Sequence, residues 1–134
     1  MTDQEGGCQC GRVRYRISAQ PLMLVACHCT ECQRQSGSAF GMSLIVSQAG
    51  LTIEGELKMF ERSSDSGRPL RCFFCPECGT RIYHQPSYAA GIANIRAGTL
   101  DDTSALEPKM HTWLCSKQPW VDIPEGVPTH QKQP

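Results

Sequence analysis

Nine cysteines occur in this 134-residue chain, at positions 8, 10, 27, 29, 32, 72, 75, 78 and 115. Eight of them are crowded into three short groups: Cys8-Gln9-Cys10, Cys27-His28-Cys29-x-x-Cys32 and Cys72-x-x-Cys75-x-x-Cys78. An odd number cannot pair completely within one chain, and a reducing compartment disfavours disulfides. Thiolates repeated at gaps of one and two residues can converge on one ion, and C-x-x-C is a common zinc half-site. The spacing therefore predicts metal sites, two of them, in place of disulfide bonds. The isolated Cys115 reads at least as well as a small apolar residue.

The rest of the sequence sets the frame for those groups. A length of 134 residues suits one domain spanning 1–134. The start, Met1-Thr2-Asp3-Gln4-Glu5, is polar and acidic and lacks the positive segment and apolar run of a secretory signal. No apolar run approaches the roughly 20 residues of a membrane-spanning helix. The expectation is a soluble, cytoplasmic protein without a membrane partner. Lys plus Arg is 13 and Asp plus Glu is 13. A balanced chain has no global field to attract DNA or RNA, so nucleic acid is not the expected partner.

Strand signals are numerous and short. Val13, Tyr15 and Ile17 alternate with Arg12, Arg14 and Arg16, the period of a half-buried strand with a polar arginine face. On that parity Cys8 and Cys10 join a buried site only if the backbone turns, which Gly11 permits. Further strands are predicted over Phe40 to Val46, Leu51 to Gly55, Lys58 to Arg62, Leu70 to Phe74, Arg81 to His84, Ile92 to Ala97 and His111 to Leu114. Punctuation such as Ser66-Gly67-Arg68-Pro69 separates them. One helical turn is expected at Thr30 to Gln35, capped by Thr30, and another at Asp101 to Leu106. Residues 119–134 contain four prolines and are expected to form an irregular tail. The sum is a mainly β, antiparallel domain held together by metal.

Cys8 and Cys10 supply two ligands, and a closed tetrahedral site needs two more. Cys75-Pro76-Glu77-Cys78-Gly79 is the natural supplier, because the glycine resembles a zinc knuckle whose tight turn brings amides to the sulfurs. Cys72, one C-x-x-C step earlier, competes with Cys75 and Cys78 for that role. Cys27, Cys29 and Cys32 give three thiolates within six residues, the pattern of a metal with a vacant fourth position. A second closed site completed by Cys72 or Cys115 is the competing arrangement, as is one ion shared by all clusters. His28 on an extended chain points away from Cys27 and Cys29, which suits a neighbouring or surface residue better than a ligand.

The pattern Gly7-Cys8-Gln9-Cys10-Gly11-x-Val13-x-Tyr15, then Cys27-His28-Cys29-x-x-Cys32-Gln33-x-x-Ser36-Gly37, then Phe74-Cys75-x-x-Cys78-Gly79-Thr80 resembles the glutathione-dependent formaldehyde-activating enzyme family. Pro108 to Trp120 is similar to the late part of that family, which also includes centromere protein V. The resemblance implies a β-tent fold. It implies a structural zinc on Cys8, Cys10, Cys75 and Cys78 and a second, catalytic zinc on Cys27, Cys29 and Cys32. It also implies a carbon–sulfur lyase of the S-(hydroxymethyl)glutathione synthase type, adding glutathione or a similar thiol to formaldehyde or another small aldehyde. The alternative is a non-catalytic zinc-stabilised module that binds protein or nucleic acid. For an acidic thiol, Arg34 or one of Arg12, Arg14 and Arg16 is a candidate carboxylate partner. Phe40, Phe60, Phe73, Tyr83, Tyr88 and Trp113 are candidates for a pocket wall.

Overall fold

A computed structural model describes residues 3–65 and 67–134; Ser66, part of the predicted punctuation before Pro69, lies outside the described residues. In chain order the elements are β1 (Gln4–Gly7), β2 (Arg14–Ile17), β3 (Met23–Cys27), α1 (Thr30–Ser36), β4 (Gly41–Ser47), β5 (Leu51–Glu54), β6 (Lys58–Ser63), β7 (Pro69–Phe74), β8 (Arg81–Pro86), β9 (Ile92–Arg96) and β10 (Met110–Thr112). They form a three-stranded sheet in the order β1-β2-β5 and a seven-stranded sheet in the order β10-β3-β4-β9-β8-β7-β6. Pairing is antiparallel except between β10 and β3, which run parallel. The protein is mainly β, as its alternating sequence predicts.

The alternation around β2 has the consequence expected of it. Val13, Tyr15 and Ile17 are buried and Arg12, Arg14 and Arg16 are exposed. These three apolar side chains pack with Leu44 and Val46 of β4, Ile82 of β8 and Ala93 and Ile95 of β9 in one core cluster. Burial of such side chains contributes about 1.5–3 kcal/mol each. The opposite face of the large sheet is more polar. The β7–β8 register shifts between Phe73 and Phe74, so that Cys72 pairs with His84 while Phe74 pairs with Arg81. This bulge lets the consecutive residues Ile82 and Tyr83 both join the core. Arg81 and His84, three residues apart, consequently share the other face with Phe74 and Cys72.

Several expectations need correction. The strands β1 and β3 are additions to the predicted set. No helix forms at Asp101 to Leu106. Asp101 instead pairs with Arg14, and Asp102 accepts hydrogen bonds from the Ser104 amide at 3.0 Å and the Ser104 hydroxyl at 2.6 Å, a local side-chain turn that competes with helix. The strand predicted through Leu114 stops at Thr112, because Trp113 takes a left-handed conformation at φ 60° and opens a 3-10 turn at Leu114–Ser116. Residues 119–134 form no helix or multi-residue strand and run beside β10. The His111 amide donates to the Pro128 carbonyl and the His130 amide to the His111 carbonyl, both at 3.0 Å. Among the described residues no helix is long and apolar enough to cross a membrane.

Candidate metal centres

Cys8 and Cys10 lie in the turn between β1 and β2. The Cys8 amide donates to the Val13 carbonyl at 3.0 Å and the Gly11 amide to the Cys8 carbonyl at 3.1 Å. The segment after β7 repeats the device: the Cys75 amide donates to the Thr80 carbonyl at 3.0 Å and the Gly79 amide to the Cys75 carbonyl at 2.9 Å. Gly11 at φ 84° and Gly79 at φ 78° occupy the left-handed region that each turn requires. The turn anticipated at Gly11 therefore replaces an extended pincer, and it carries Cys8 and Cys10 to the matching turn of Cys75 and Cys78.

These four sulfurs all lie within 4.8 Å of one another, with Cys8 and Cys10 3.5 Å apart and Cys10 and Cys75 3.7 Å apart. Four sulfurs at about 2.3 Å from a tetrahedral zinc stand about 3.8 Å from each other, so the group fits such an ion. The neighbours suit thiolates. The Val13 amide donates to Cys8 Sγ at 3.2 Å, and Thr80 Oγ1 lies 3.2 Å from Cys78 Sγ. Hydrogen bonds from the Thr80 hydroxyl and amide pull the Cys78 thiol down to about 5.

The second group is local. Cys27 ends β3, Cys29 is the N-cap of α1 and Cys32 lies in its first turn. Cys29 Sγ accepts from the Cys32 amide at 3.2 Å, so a sulfur, and not the predicted Thr30, caps this helix. The three sulfurs lie within 4.8 Å of one another. Hydrogen bonds from the Cys29 and Cys32 side chains hold Cys27 down at about 2, while the Cys27 thiolate pushes Cys29 and, further, Cys32 upward. The Thr112 hydroxyl adds another bond to Cys27. Among the described residues no fourth His, Cys, Asp or Glu completes this trio. Cys72 and Cys115 belong to neither group; Cys72 is buried in β7 and Cys115 is exposed.

His28 faces inward and does not join the three sulfurs. It is fully buried, and its Nε2 lies 2.9 Å from His111 Nδ1. Its ring centroid is 5.0 Å from that of Phe40, which excludes the surface placement considered for it. Burial lowers its pKa to about 4. Gln33 Nε2 donates to the His28 carbonyl at 2.8 Å and to the Ser116 carbonyl at 3.0 Å, tying α1 to the C-terminal segment.

Sequence reasoning missed one charged neighbour. Arg96, at the end of β9, is buried, and its Nη1 donates to Ser43 Oγ at 2.8 Å. A Cβ placed on Gly41 would meet both the Arg96 guanidinium and Cys32 Cβ. This close approach puts the cation beside the trio. Burial lowers the Arg96 pKa, and Cys32, Cys27 and Cys72 oppose that shift. The signal was the alternation Ala93-Asn94-Ile95-Arg96, whose polar half faces away from the core. Of the arginines proposed as carboxylate partners, Arg34 lies on α1, two residues after Cys32, and lines a cleft beside that helix, whereas Arg14 pairs with Asp101 and Arg12 approaches Glu77 at 4.0 Å. Of the aromatic candidates, Phe73 and Tyr83 stack at 4.6 Å, with Tyr83 in the core and Phe73 packed against it, and Phe60 lines a cleft beside α1.

Residues 3–116 match the sequence profile described as glutathione-dependent formaldehyde-activating enzyme. A relative from Halomonas elongata, described as a putative glutathione-dependent formaldehyde-activating enzyme, is 25% identical over 125 residues, covering 89% of this chain and 80% of its own. A crystal structure of a Rhodobacter sphaeroides protein superposes with a TM-score of 0.59 at 19% identity, covering 78% of this chain and 91% of that one. At that identity the likeness speaks for the fold.

Proposed function

The chain belongs to the glutathione-dependent formaldehyde-activating enzyme family, and on that premise we propose that it adds a thiol, glutathione or a close equivalent, to formaldehyde or another small aldehyde. In the reaction the thiol sulfur bonds to the carbonyl carbon, the carbonyl π bond opens, and the thiol proton ends on the new hydroxyl. The observation that carries this reading is the contrast in ligand number. Four sulfurs surround one position and only three the other, with no fourth protein ligand among the described residues.

On this reading Cys8, Cys10, Cys75 and Cys78 hold a structural zinc, and Cys27, Cys29 and Cys32 hold a catalytic one. A zinc ion bound by three thiolates supplies acidification of a thiol and acceptance of charge from an aldehyde oxygen. The chain's own residues supply the setting. The Cys32 amide and the Thr112 hydroxyl each bond a ligand sulfur and fix its direction. The Arg96 guanidinium offsets the negative charge that three thiolates gather. The His28–His111 pair and the Gln33 amide hold the β3–α1 junction against the C-terminal segment, so the sulfurs are positioned before substrate arrives.

Magnetisation-exchange NMR between glutathione and its hydroxymethyl adduct tests the reading, because it separates catalysed from spontaneous exchange. Zinc-loaded protein is expected to accelerate the exchange and Cys29→Ser protein to leave it at the spontaneous rate. Equal rates with and without the wild-type protein would refute the proposed reaction.

A further inference from the structure

The polar face of the large sheet carries a concentration of positive charge without matching acids. A cleft of about 220 Å³ opens beside α1, the helix that carries Cys32, lined by Glu31, Arg34, Gln35, Phe60, Arg62 and Arg81. Gln35 lies one helical turn from Cys32, on the same side of α1. The bulge in β8 aims Arg81 and His84 at this face together, and the row Phe60–Cys72–His84–Asn94 crosses β6, β7, β8 and β9. Arg62, Arg81 and Arg96 all act electrostatically on His84.

None of Arg34, Arg62, Arg81 and Arg96 forms an ion pair with a carboxylate among the described residues; the ion pairs present involve Arg12, Arg14, Arg71 and Lys109. Glu31 is exposed on the rim and engages none of them. Arg81 lies over the rings of Phe74 and Phe60, at 5.6 and 6.0 Å from their centroids. Polar atoms are also buried there without partners: both amide atoms of Gln35, Nε of Arg62 and Nε2 of His84, a residue only 2% exposed. Buried polar groups are ordinarily satisfied, so these atoms have hydrogen-bonding capacity that a polar ligand can use. Clustered arginines beside uncommitted donors are suited to a carboxylate, which a guanidinium fork meets with two parallel hydrogen bonds.

We propose that this cleft seats a carboxylate of the thiol substrate, gripped by Arg62 and Arg81, while the substrate sulfur reaches Cys27, Cys29 and Cys32. The proposal rests on the thiol-addition reading and narrows it: the preferred substrate is an acidic thiol whose carboxylate lies one to two residue lengths from its sulfur. That reach, roughly 3.5 Å per residue, spans the helical rise of about 4.5 Å between Cys32 and Gln35.

The test is calorimetric titration of zinc-loaded protein with S-methylglutathione, which keeps both carboxylates and has no free thiol, and with its diethyl ester, which masks both. Wild-type protein is expected to bind the acid at least roughly tenfold more tightly than the ester, the ratio for losing a charge-assisted bond. The Arg62→Gln/Arg81→Gln protein should bind both equally weakly. In turnover that variant should raise KM for glutathione with little change in kcat and leave 2-mercaptoethanol unaffected. Equal binding of acid and ester by the wild type, which requires no variant to fold, overturns the proposal; so does discrimination retained by a folded double variant. Turnover without discrimination removes the carboxylate seat and keeps the reaction. Discrimination without turnover of any thiol supports the seat and removes the reaction.

Discussion

The two cysteine groups draw on the same chemistry but differ in how the chain reaches them. The quartet joins two turns 65 residues apart, one at the hairpin of the small sheet and one after β7 of the large sheet. The trio lies within six residues at a single strand–helix junction. Closing the long loop costs about 2 kcal/mol more chain entropy than closing the short one, so an ion at the quartet opposes unfolding far more strongly. The trio spans little chain, and no fourth His, Cys, Asp or Glu completes it among the described residues. One group therefore suits fastening and the other exchange of ligands, and each prediction below separates them.

The largest contrast is expected between Cys78→Ser and Cys29→Ser. A closed structural zinc is worth on the order of 10 kcal/mol, comparable with the whole stability of a domain. Cys78→Ser should unfold the chain, seen as loss of near-ultraviolet circular dichroism. Cys29→Ser should remain folded, hold one zinc by elemental analysis and lose activity. Equal unfolding of both would erase the distinction. A mild chelator should likewise remove the trio's metal first, with activity falling while the fold persists; simultaneous loss of both would count against an open site.

Smaller effects follow from backbone and charge. Gly79→Ala forces a side chain into the left-handed region and should cost about 1–2 kcal/mol, read as a lower urea midpoint with activity per folded molecule unchanged. Acid should act through the buried histidines. Burial, with Arg96, Arg81 and Arg62, lowers the His84 pKa to about 2, and burial lowers His28 to about 4 and His111 in the same direction. The unfolded chain takes up these protons near pH 6.5 and the folded chain does not. The stability these residues contribute is present above pH 6.5 and is lost as the pH falls, by at most about 1.4 kcal/mol per unit for each. Urea melts at pH 7 and 5.5 should show a shallower dependence in His84→Gln than in wild type; an identical slope would remove His84 from this account.

The parts legible in the sequence were those governed by short spacing. Cysteine gaps of one and two residues foretold the groups that the fold assembles, and alternation from Val13 to Ile17 foretold the buried face of β2. β1 was hidden because Gln4-Glu5-Gly6-Gly7 has little strand propensity of its own and depends on pairing with β2. The cap of α1 was misread because a thiol acts where an oxygen is usual. The Arg62, Arg81 and His84 cluster was invisible because a bulge, which no alternation pattern announces, turns Arg81 and His84 to one face. Arg12, Arg14 and Arg16 drew attention by periodicity, yet they face solvent on the small sheet.

The central claim, one closed site and one open site, is tested most directly by cadmium NMR of the cadmium-substituted protein during titration with glutathione. The account predicts two resonances, of which the one absent from Cys29→Ser moves as glutathione is added while the other stays fixed. A single resonance, or two that both ignore the thiol, would contradict it.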